Sequence, residues 1–478
     1  MKKIKLFIEN FFVYGLGGII GKIIPLIMVP IITRLMPGTE YYGISDLSNT
    51  IVQFGSALAV LGMYDAMYRM FFEKEDDEFK KDVCSTTIIF TLVMSVLVFS
   101  NMILFKGSIA KCFFNNVRYK YVVCLSAIAI LLGATKEIIS APTRMQNKRK
   151  VFLVTNTIGP IVSYSIAILL ILKGYYVVAL PLAMCFSHFI MEVIFGYLNY
   201  SWFSIKRFKF SILKQLLNIA VPLLPNFLIY WLFNSCDKVM ITNILGIDVA
   251  GVYSVGAKLG HSSQLIYTAF AGGWQYFAFS TMKEKNQVKT NSMIFEYLGI
   301  ISFVVTVFVC AWSSWIFKIL FTEQYWNGYI VAPYLFLAPL LQMLFQVAAN
   351  QFLVIKKTWS NMLILASGAL VNVVLNFMLI PILGIEGAAI ATLLGYAVSD
   401  IVCVMVLSKM KLMMINFKFI VASVIMIIYF ILWRTNFSTN FAIGTITAAT
   451  VTITCIWLYR VDINSFFKLL KSNNNGVK

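Results

Sequence analysis

The feature that most constrains this chain is a series of apolar stretches, each about 20 residues or more, that follow one another almost from end to end. A helix rises about 1.5 Å per residue, so about 20 apolar residues cross the roughly 30 Å hydrocarbon core of a bilayer. A spanning β-barrel would instead show segments of about ten residues that alternate in polarity, and the sequence has none of these. Inside lipid each backbone N–H and C=O must find its partner within the segment, which leaves helices. The expected fold class is therefore an all-α integral membrane bundle. Composition agrees, with 60% of residues hydrophobic and 12% charged, where soluble domains run near 45–50% and about 25%.

Apolar windows cut at turn and charge signals give about fourteen transmembrane spans. Their limits lie near 11–36, 43–72, 84–105, 119–141, 151–172, 175–199, 211–236, 249–281, 290–320, 328–355, 359–382, 385–409, 415–434 and 441–459. The apolar run that follows MKKIK is too long for a signal-peptide core and is expected to remain as the first span. A net charge of +19 would suit nucleic acid if it formed one soluble patch, but these Lys and Arg residues sit in short loops. About two thirds of them fall on the side that also holds both termini, as the positive-inside rule asks of a cytoplasmic face. Both termini are thus expected in the cytoplasm, on a multi-pass protein of the cytoplasmic (inner) cell membrane. The segment Lys106, Lys111, Arg118, Lys120 runs against that trend in an expected outer loop. The acidic run Glu73 to Asp82 (EKEDDEFKKD) reads as a solvated turn, and the tail KSNNNGVK as disordered.

The sequence argues against catalysis in water. It has no GxxxxGK[ST], GxSxG or HExxH, and no segment long enough for a soluble catalytic domain. The eight cysteines are scattered without a CxxC, and only two histidines occur. They read as small hydrophobes rather than metal ligands. We expect no enzyme, no cofactor and no metal site.

A shift of 208 residues lays MPGTEYYG (Met36 to Gly43) on ILGIDVAG (Ile244 to Gly251), with Gly38 on Gly246, Glu40 on Asp248 and Gly43 on Gly251. The same shift lays Lys148 and Arg149 on Lys356 and Lys357, and a shift of 210 lays Gly174 on Gly384. The implied unit is six helices, and an even number returns the chain to its starting side. The expected organisation is two parallel six-helix repeats, 1–205 and 206–410, followed at 411–478 by two further spans and a short tail. Transporters built this way hold substrate near the midplane and alternate access by rocking the halves.

Charge at a helix centre in lipid costs at least about 2.5–3.5 kcal/mol, so ionisable residues within spans are functional candidates. Lys22 lies too deep to snorkel to either surface, on a face shared with Gly15, Gly18 and Pro25. It either contacts substrate or forms an ion pair that holds helices. Gly251, Ser254, Lys258, His261, Leu265, Thr268 and Gly272 form a stripe in the eighth span, which is either a cationic cavity wall or polar glue. The second span carries Asp46, Asn49, Gln53 and Ser56 on one face, and ends with Asp65 and Arg69, which at i,i+4 can neutralise each other. Gln342, Gln346 and Asn350 make an uncharged stripe, and His188 with Glu192 reads as a packing pair before a proton carrier. Asp400 and Glu296 receive no role. The substrate-binding candidates are Lys22, Arg69, Lys258 and His261. A cationic cavity attracts an anion, and lysine serves phosphate as a compact point charge.

Several stretches in this order resemble the polysaccharide (O-antigen type) flippases of the multidrug/oligosaccharidyl-lipid/polysaccharide exporter superfamily. They are the first span with Pro25 and Pro30, RLMPGTEYYG (Arg34 to Gly43), GMYDAMYR (Gly62 to Arg69), NSCDK (Asn234 to Lys238), GIDVAGVYS (Gly246 to Ser254) and GGW (Gly272 to Trp274). The resemblance covers essentially the whole chain. It implies transfer of an oligosaccharide linked to undecaprenyl diphosphate between leaflets, for capsule, exopolysaccharide or O-antigen assembly. It also implies a V-shaped cavity lined by basic residues from the first, second, seventh and eighth spans. Lys22, Arg69 and Lys258 occupy matching spans, with Lys238 a weaker candidate. Implied partners are the lipid-linked oligosaccharide, membrane lipids, a polysaccharide polymerase and a chain-length regulator, with no nucleic acid. The alternatives are a cation-coupled multidrug exporter, a peptidoglycan-precursor flippase of the same superfamily, and a membrane-embedded glycan polymerase or ligase. The last is disfavoured because the longest expected outer loop holds no Asp, Glu or His.

Overall fold

The computed structural model describes residues 21–281, 286–355 and 357–462. The start of the first span with Gly15 and Gly18, the tail KSNNNGVK and Lys356 lie outside the described residues. Within them the chain is helical and no strand occurs. The helices are α1 (described over 21–35), α2 (Thr39–Val60), α3 (Met63–Phe71), α4 (Asp77–Leu104), α5 (Lys106–Phe114), α6 (Lys120–Met145), α7 (Arg149–Leu172), α8 (Tyr176–Asn199) and α9 (Phe210–Ala220). Then follow α10 (Leu224–Leu245), α11 (Ile247–Gly260), α12 (Gln264–Ser280), α13 (Gln287–Leu320), α14 (Val331–Val354), α15 (Thr358–Leu383), α16 (Ile385–Lys409), α17 (Phe417–Leu432) and α18 (Phe441–Leu458).

Among the described residues eleven helices are long and apolar enough to cross a bilayer, or twelve if the bent pair α2–α3 is one span. This is a multi-pass membrane protein. Bulky side chains such as Ile427, Ile431, Ile446 and Ile453 of α17 and α18 are mostly uncovered by protein, as lipid permits and water does not. Two of the fourteen expected spans are not among the twelve. The first falls partly outside the described residues, and the eighth is cut by a 3-10 turn at His261–Ser263 between α11 and α12. The expected outer loop after Lys106 instead opens with a nine-residue helix, α5.

The second span breaks at Leu61 and Gly62, both left-handed with φ of 51° and 73°, and α3 leaves α2 at 45°. Gly62 has a further reason to lack a side chain, since a Cβ there would stand 2.8 Å from the Ala220 carbonyl. Gly174 and Gly384, equivalent under the shift noted in the sequence, both close a helix in left-handed turns, with φ of 83° and 63°. Gly38 and Gly246 differ, because Gly246 is left-handed at 107° whereas Gly38 is extended.

The chain divides into two compact units, Met1–Val255 with Ala369–Ala391, and Gly256–Gly368 with Thr392–Lys478. In the first, α6 is the central helix and packs on α2, α4 and α8. Small polar contacts join helices of this unit: Ser48 with Ser126 at 2.8 Å, Ser187 to the Gly159 carbonyl of α7 at 2.9 Å, and Asn199 to Thr143 at 2.8 Å. Helix association in lipid relies on such contacts because burial of apolar surface offers no gain over lipid tails.

The acidic run that reads as a solvated turn does more than face water. Asp76 caps α4 by accepting the Glu78 N–H at 3.0 Å, and Asp77 and Glu78 complement the helix dipole. Glu78 then takes Arg207 at 2.6 Å, and buried Asp82 takes Arg207 and Lys209. Ser204 and Lys209 donate their N–H groups to Ser85 and Thr86 at 3.0 and 3.1 Å. The connector between α8 and α9 is thereby stapled along the start of α4.

In the second unit α13 packs on α14, α17 and α18. Glu296, without a role in the sequence, accepts the Asn416 N–H at 2.6 Å and the Tyr459 hydroxyl at 3.5 Å, which ties α13 to the start of α17 and the end of α18. Tyr429 donates to the Val307 carbonyl at 3.0 Å.

In the first unit α2 and α11 bring their backbones together at two glycines. A Cβ on Gly43 would strike the Ile247 carbonyl, and one on Gly251 would strike the Thr39 carbonyl. The contact is reciprocal, since the 208-residue shift that maps Gly43 to Gly251 also maps Thr39 to Ile247. Gly251→Leu is expected to destabilise the protein by about 1–3 kcal/mol through overpacking against backbone. The check is a lower melting temperature of the detergent-solubilised protein, and an unchanged one would mean that the crossing is loose.

Candidate functional site

A helix face that carries ionised side chains at membrane depth cannot lie against acyl chains, so exposed charges on spans mark a wetted wall. In the first unit exposed or half-buried charges lie on four helices. Lys22 on α1 is exposed, as are Asp65 and Arg69 on α3 and Glu137 and Arg144 on α6. Lys136 on α6 and Glu192 on α8 are half-buried. The break at Gly62 sets α3 at its own angle, and so places Tyr64, Asp65 and Arg69. Arg144 donates to the Tyr64 hydroxyl at 3.4 Å. It is also the cation whose field reaches Asp65, and among the described residues no ion pair joins Asp65 to Arg69. The i,i+4 pair expected from the sequence therefore gives way to a partner on α6.

Lys136 lies in the field of Glu137 and Glu192, and Glu192 also meets Thr135. The wall is thus mixed in sign, with four cations and three carboxylates named here, where the sequence suggested mainly cationic or neutral groups. Lys136, Glu137 and Arg144 are the residues that sequence reasoning left without a role, whereas Glu192 reads in the sequence as a packing partner of His188. Their signal was present, since Lys136 and Glu137 sit inside the apolar fourth span. His188 is a packing residue: its Nδ1 lies 3.1 Å from the Ala129 carbonyl, and a Cβ on Gly133 would meet the ring.

Lys258 and His261 belong to the second unit, both half-buried. They occupy neighbouring positions about one turn apart, Lys258 in the last turn of α11 and His261 at the head of the 3-10 turn. The break has a packing cause. Gly256 and Gly260 bring α11 so close to the start of α14 that a Cβ at either would press on the Gly328 or Ala332 carbonyl, at 2.6 and 2.8 Å. On α13 and α14 two buried amides meet, with Gln287 donating to Gln351 at 2.9 Å, while Gln342 and Gln346 of the uncharged stripe are half-buried. Asp400 on α16 is buried with neither carboxylate oxygen hydrogen-bonded among the described residues.

A second polar group lies buried beside the α2–α11 crossing. Lys238 on α10 reaches Asp46 on α2, Nζ to Oδ2, at 2.8 Å. The Lys238 backbone N–H donates to Asp237 Oδ1 at 2.7 Å, and the Tyr253 hydroxyl of α11 donates to Asp237 Oδ2. All four side chains are buried. Further along the seam Trp231 donates to the Thr50 carbonyl at 3.3 Å and packs on Phe54, and Asn243 donates to the Cys112 carbonyl of α5 at 2.8 Å. Lys238 is therefore engaged by a carboxylate in this conformation, which removes it from the set of groups open to an anion.

The sequence profile of a family described as "Polysaccharide biosynthesis protein" matches residues 31–331. By structure the chain is similar to a lipid II flippase MurJ in an inward closed conformation, with a TM-score of 0.69 at 16% identity over 95% of this chain and 100% of that one. It is also similar to an inward-facing multidrug resistance MATE family transporter of the MOP superfamily, with a TM-score of 0.61 at 13% identity over 82% and 98%. A third likeness is to a mutant of the Vibrio cholerae MATE transporter VcmN, with a TM-score of 0.59 at 11% identity over 86% and 98%. At such identities the likeness establishes the fold. No curated protein matches by sequence.

Proposed function

Because the chain belongs to the polysaccharide biosynthesis protein family, we propose that it is a flippase for an anionic lipid-linked oligosaccharide of the undecaprenyl-diphosphate type. It acts in the cytoplasmic membrane, with both termini inside, and serves capsule, exopolysaccharide or O-antigen assembly beside a polymerase and a chain-length regulator. The observation that carries this reading is the set of exposed and half-buried charges on α1, α3, α6 and α8 of an otherwise apolar helical bundle.

A diphosphate is the costliest part of such a substrate to bring into hydrocarbon. Lys22, Arg69, Lys258 and His261 serve it as cationic partners. The prenyl chain stays in lipid. The repeats 1–205 and 206–410 then rock to alternate access, and the reciprocal Gly43 and Gly251 contact belongs to the closed extracytoplasmic end in this orientation.

Purified protein in proteoliposomes is expected to move a labelled lipid-linked oligosaccharide between leaflets in a time-dependent manner. No movement above protein-free vesicles would sink the assignment. The carboxylates Asp65, Glu137 and Glu192 favour a second reading, a cation-coupled multidrug exporter. Ethidium efflux driven by a proton or sodium gradient, with no oligosaccharide transfer, would decide for it. A peptidoglycan-precursor flippase is distinguished by lethality of the gene deletion.

A further inference from the structure

We propose that the buried Lys238–Asp46 bridge is the lock that holds one end of the transport path shut, and that it breaks in each cycle. The proposal rests on the alternating-access reading above, and it concerns residues outside the wetted wall.

Three observations combine. The bridge spans α2 and α10, at 2.8 Å and without solvent cover. It stands beside the α2–α11 crossing, where Gly43 and Gly251 bring two backbones into contact with no side chain between them. It is also continuous with Trp231 on Thr50 and Phe54, and with Asn243 on Cys112, so one seam joins α10 to α2 and α5. Apolar packing alone would make a poor latch in lipid, because separated helices lose little when lipid tails replace the partner. An ion pair behaves differently. Once the helices part, both charges must find water or another ion, so separation is opposed until the path hydrates. Asp237 sharpens this asymmetry. Its carboxylate is already held by Tyr253 and by the Lys238 N–H, and so stays with α10 and α11 when Asp46 leaves. Lys238 is thus a positioning residue that acts through the seam, with no need to touch substrate.

The experiment joins the seam covalently. Asp46→Cys with Lys238→Cys, in a background where Cys112 and Cys236 are serine, is treated with a short cleavable bifunctional thiol reagent. Translocation in proteoliposomes is expected to fall at least tenfold on cross-linking and to return when the link is cleaved. A second pair, Thr50→Cys with Trp231→Cys, leaves the bridge itself intact and is expected to give the same arrest. Cross-linked protein that translocates at the uncross-linked rate in either pair would overturn the lock. Charge exchange adds a reading that simple loss of packing would not move. Asp46→Lys is expected to impair transport at least tenfold, and adding Lys238→Asp to restore most of it; no restoration would count against the lock. Failure of the untreated wild type to move lipid-linked oligosaccharide would instead sink the substrate assignment. The lock is then read without substrate, by reaction of Asn49→Cys with an impermeant thiol reagent added outside. Cross-linking the Thr50 and Trp231 pair should suppress that reaction at least fivefold, and unchanged labelling would overturn the lock.

Discussion

Alanine at both Lys22 and Lys258 is expected to cut translocation at least hundredfold while membrane abundance stays at the wild-type level. A hydrogen bond to a charged group contributes about 1.5–3 kcal/mol, so two contacts to a diphosphate together amount to about 3–6 kcal/mol. At about 1.4 kcal/mol per factor of ten, that range corresponds to about 10² to 10⁴ in rate or affinity. The cost to folding is much smaller. Lys22 is exposed, and surface substitutions usually change stability by about 0.5 kcal/mol or less. Lys22→Arg should retain much of the activity because the charge survives, though guanidinium and ammonium meet phosphate differently. Arg69→Ala and His261→Ala should cost less than either lysine. Arg69 can be replaced in part by Arg144 on α6, and His261 by Lys258, about one turn away. The measurement is transfer of labelled lipid-linked oligosaccharide beside an immunoblot of the membrane fraction. Normal transfer by both single alanine variants would remove these lysines from the site.

The charges that hydropathy exposes are those that were legible in advance. Lys22 stands out because nothing polar surrounds it along the helix, and Lys258 because it interrupts an apolar run. The spans themselves were legible for the same reason, since length and apolarity are local properties of sequence. The breaks were not. Leu61 and Gly62 lie within an uninterrupted apolar stretch, and the turn to left-handed backbone there answers to the Ala220 carbonyl, which approaches from a distant helix. The same holds at Gly256 and Gly260, where contact with α14 decides that the helix ends. Partners are the other hidden quantity. Asp65 and Arg69 have ideal spacing to pair, yet Arg144 supplies the nearer field because α6 crosses α3. The acidic run Glu73 to Asp82 looked solvated because its partners, Arg207 and Lys209, lie beyond several further spans. Local composition fixes what must be buried, and only packing decides which charge meets which.

The largest stability effect is expected at the Lys238–Asp46 bridge, and it should depend on whether one or both partners are removed. Lys238→Met leaves Asp46 buried beside Asp237 with no cation between them, and is expected to cost about 3–5 kcal/mol, as is usual when one member of a buried pair is lost. Asp46→Leu alone strands Lys238, although Asp237 remains adjacent and offsets part of the loss. The double variant Asp46→Leu with Lys238→Met removes both charges of the bridge and leaves Asp237 held by Tyr253 and a backbone N–H, so it should be more stable than Lys238→Met alone. The strong non-additivity is the diagnostic, because two independent packing defects would simply add. Thermal unfolding of the four proteins in detergent completes the cycle. If the double variant is at least as unstable as the sum of the singles, then the bridge is no desolvated pair. If it is stable and yet fails to close against an impermeant thiol reagent, the charges serve transport at the expense of stability, which is the arrangement a moving part requires.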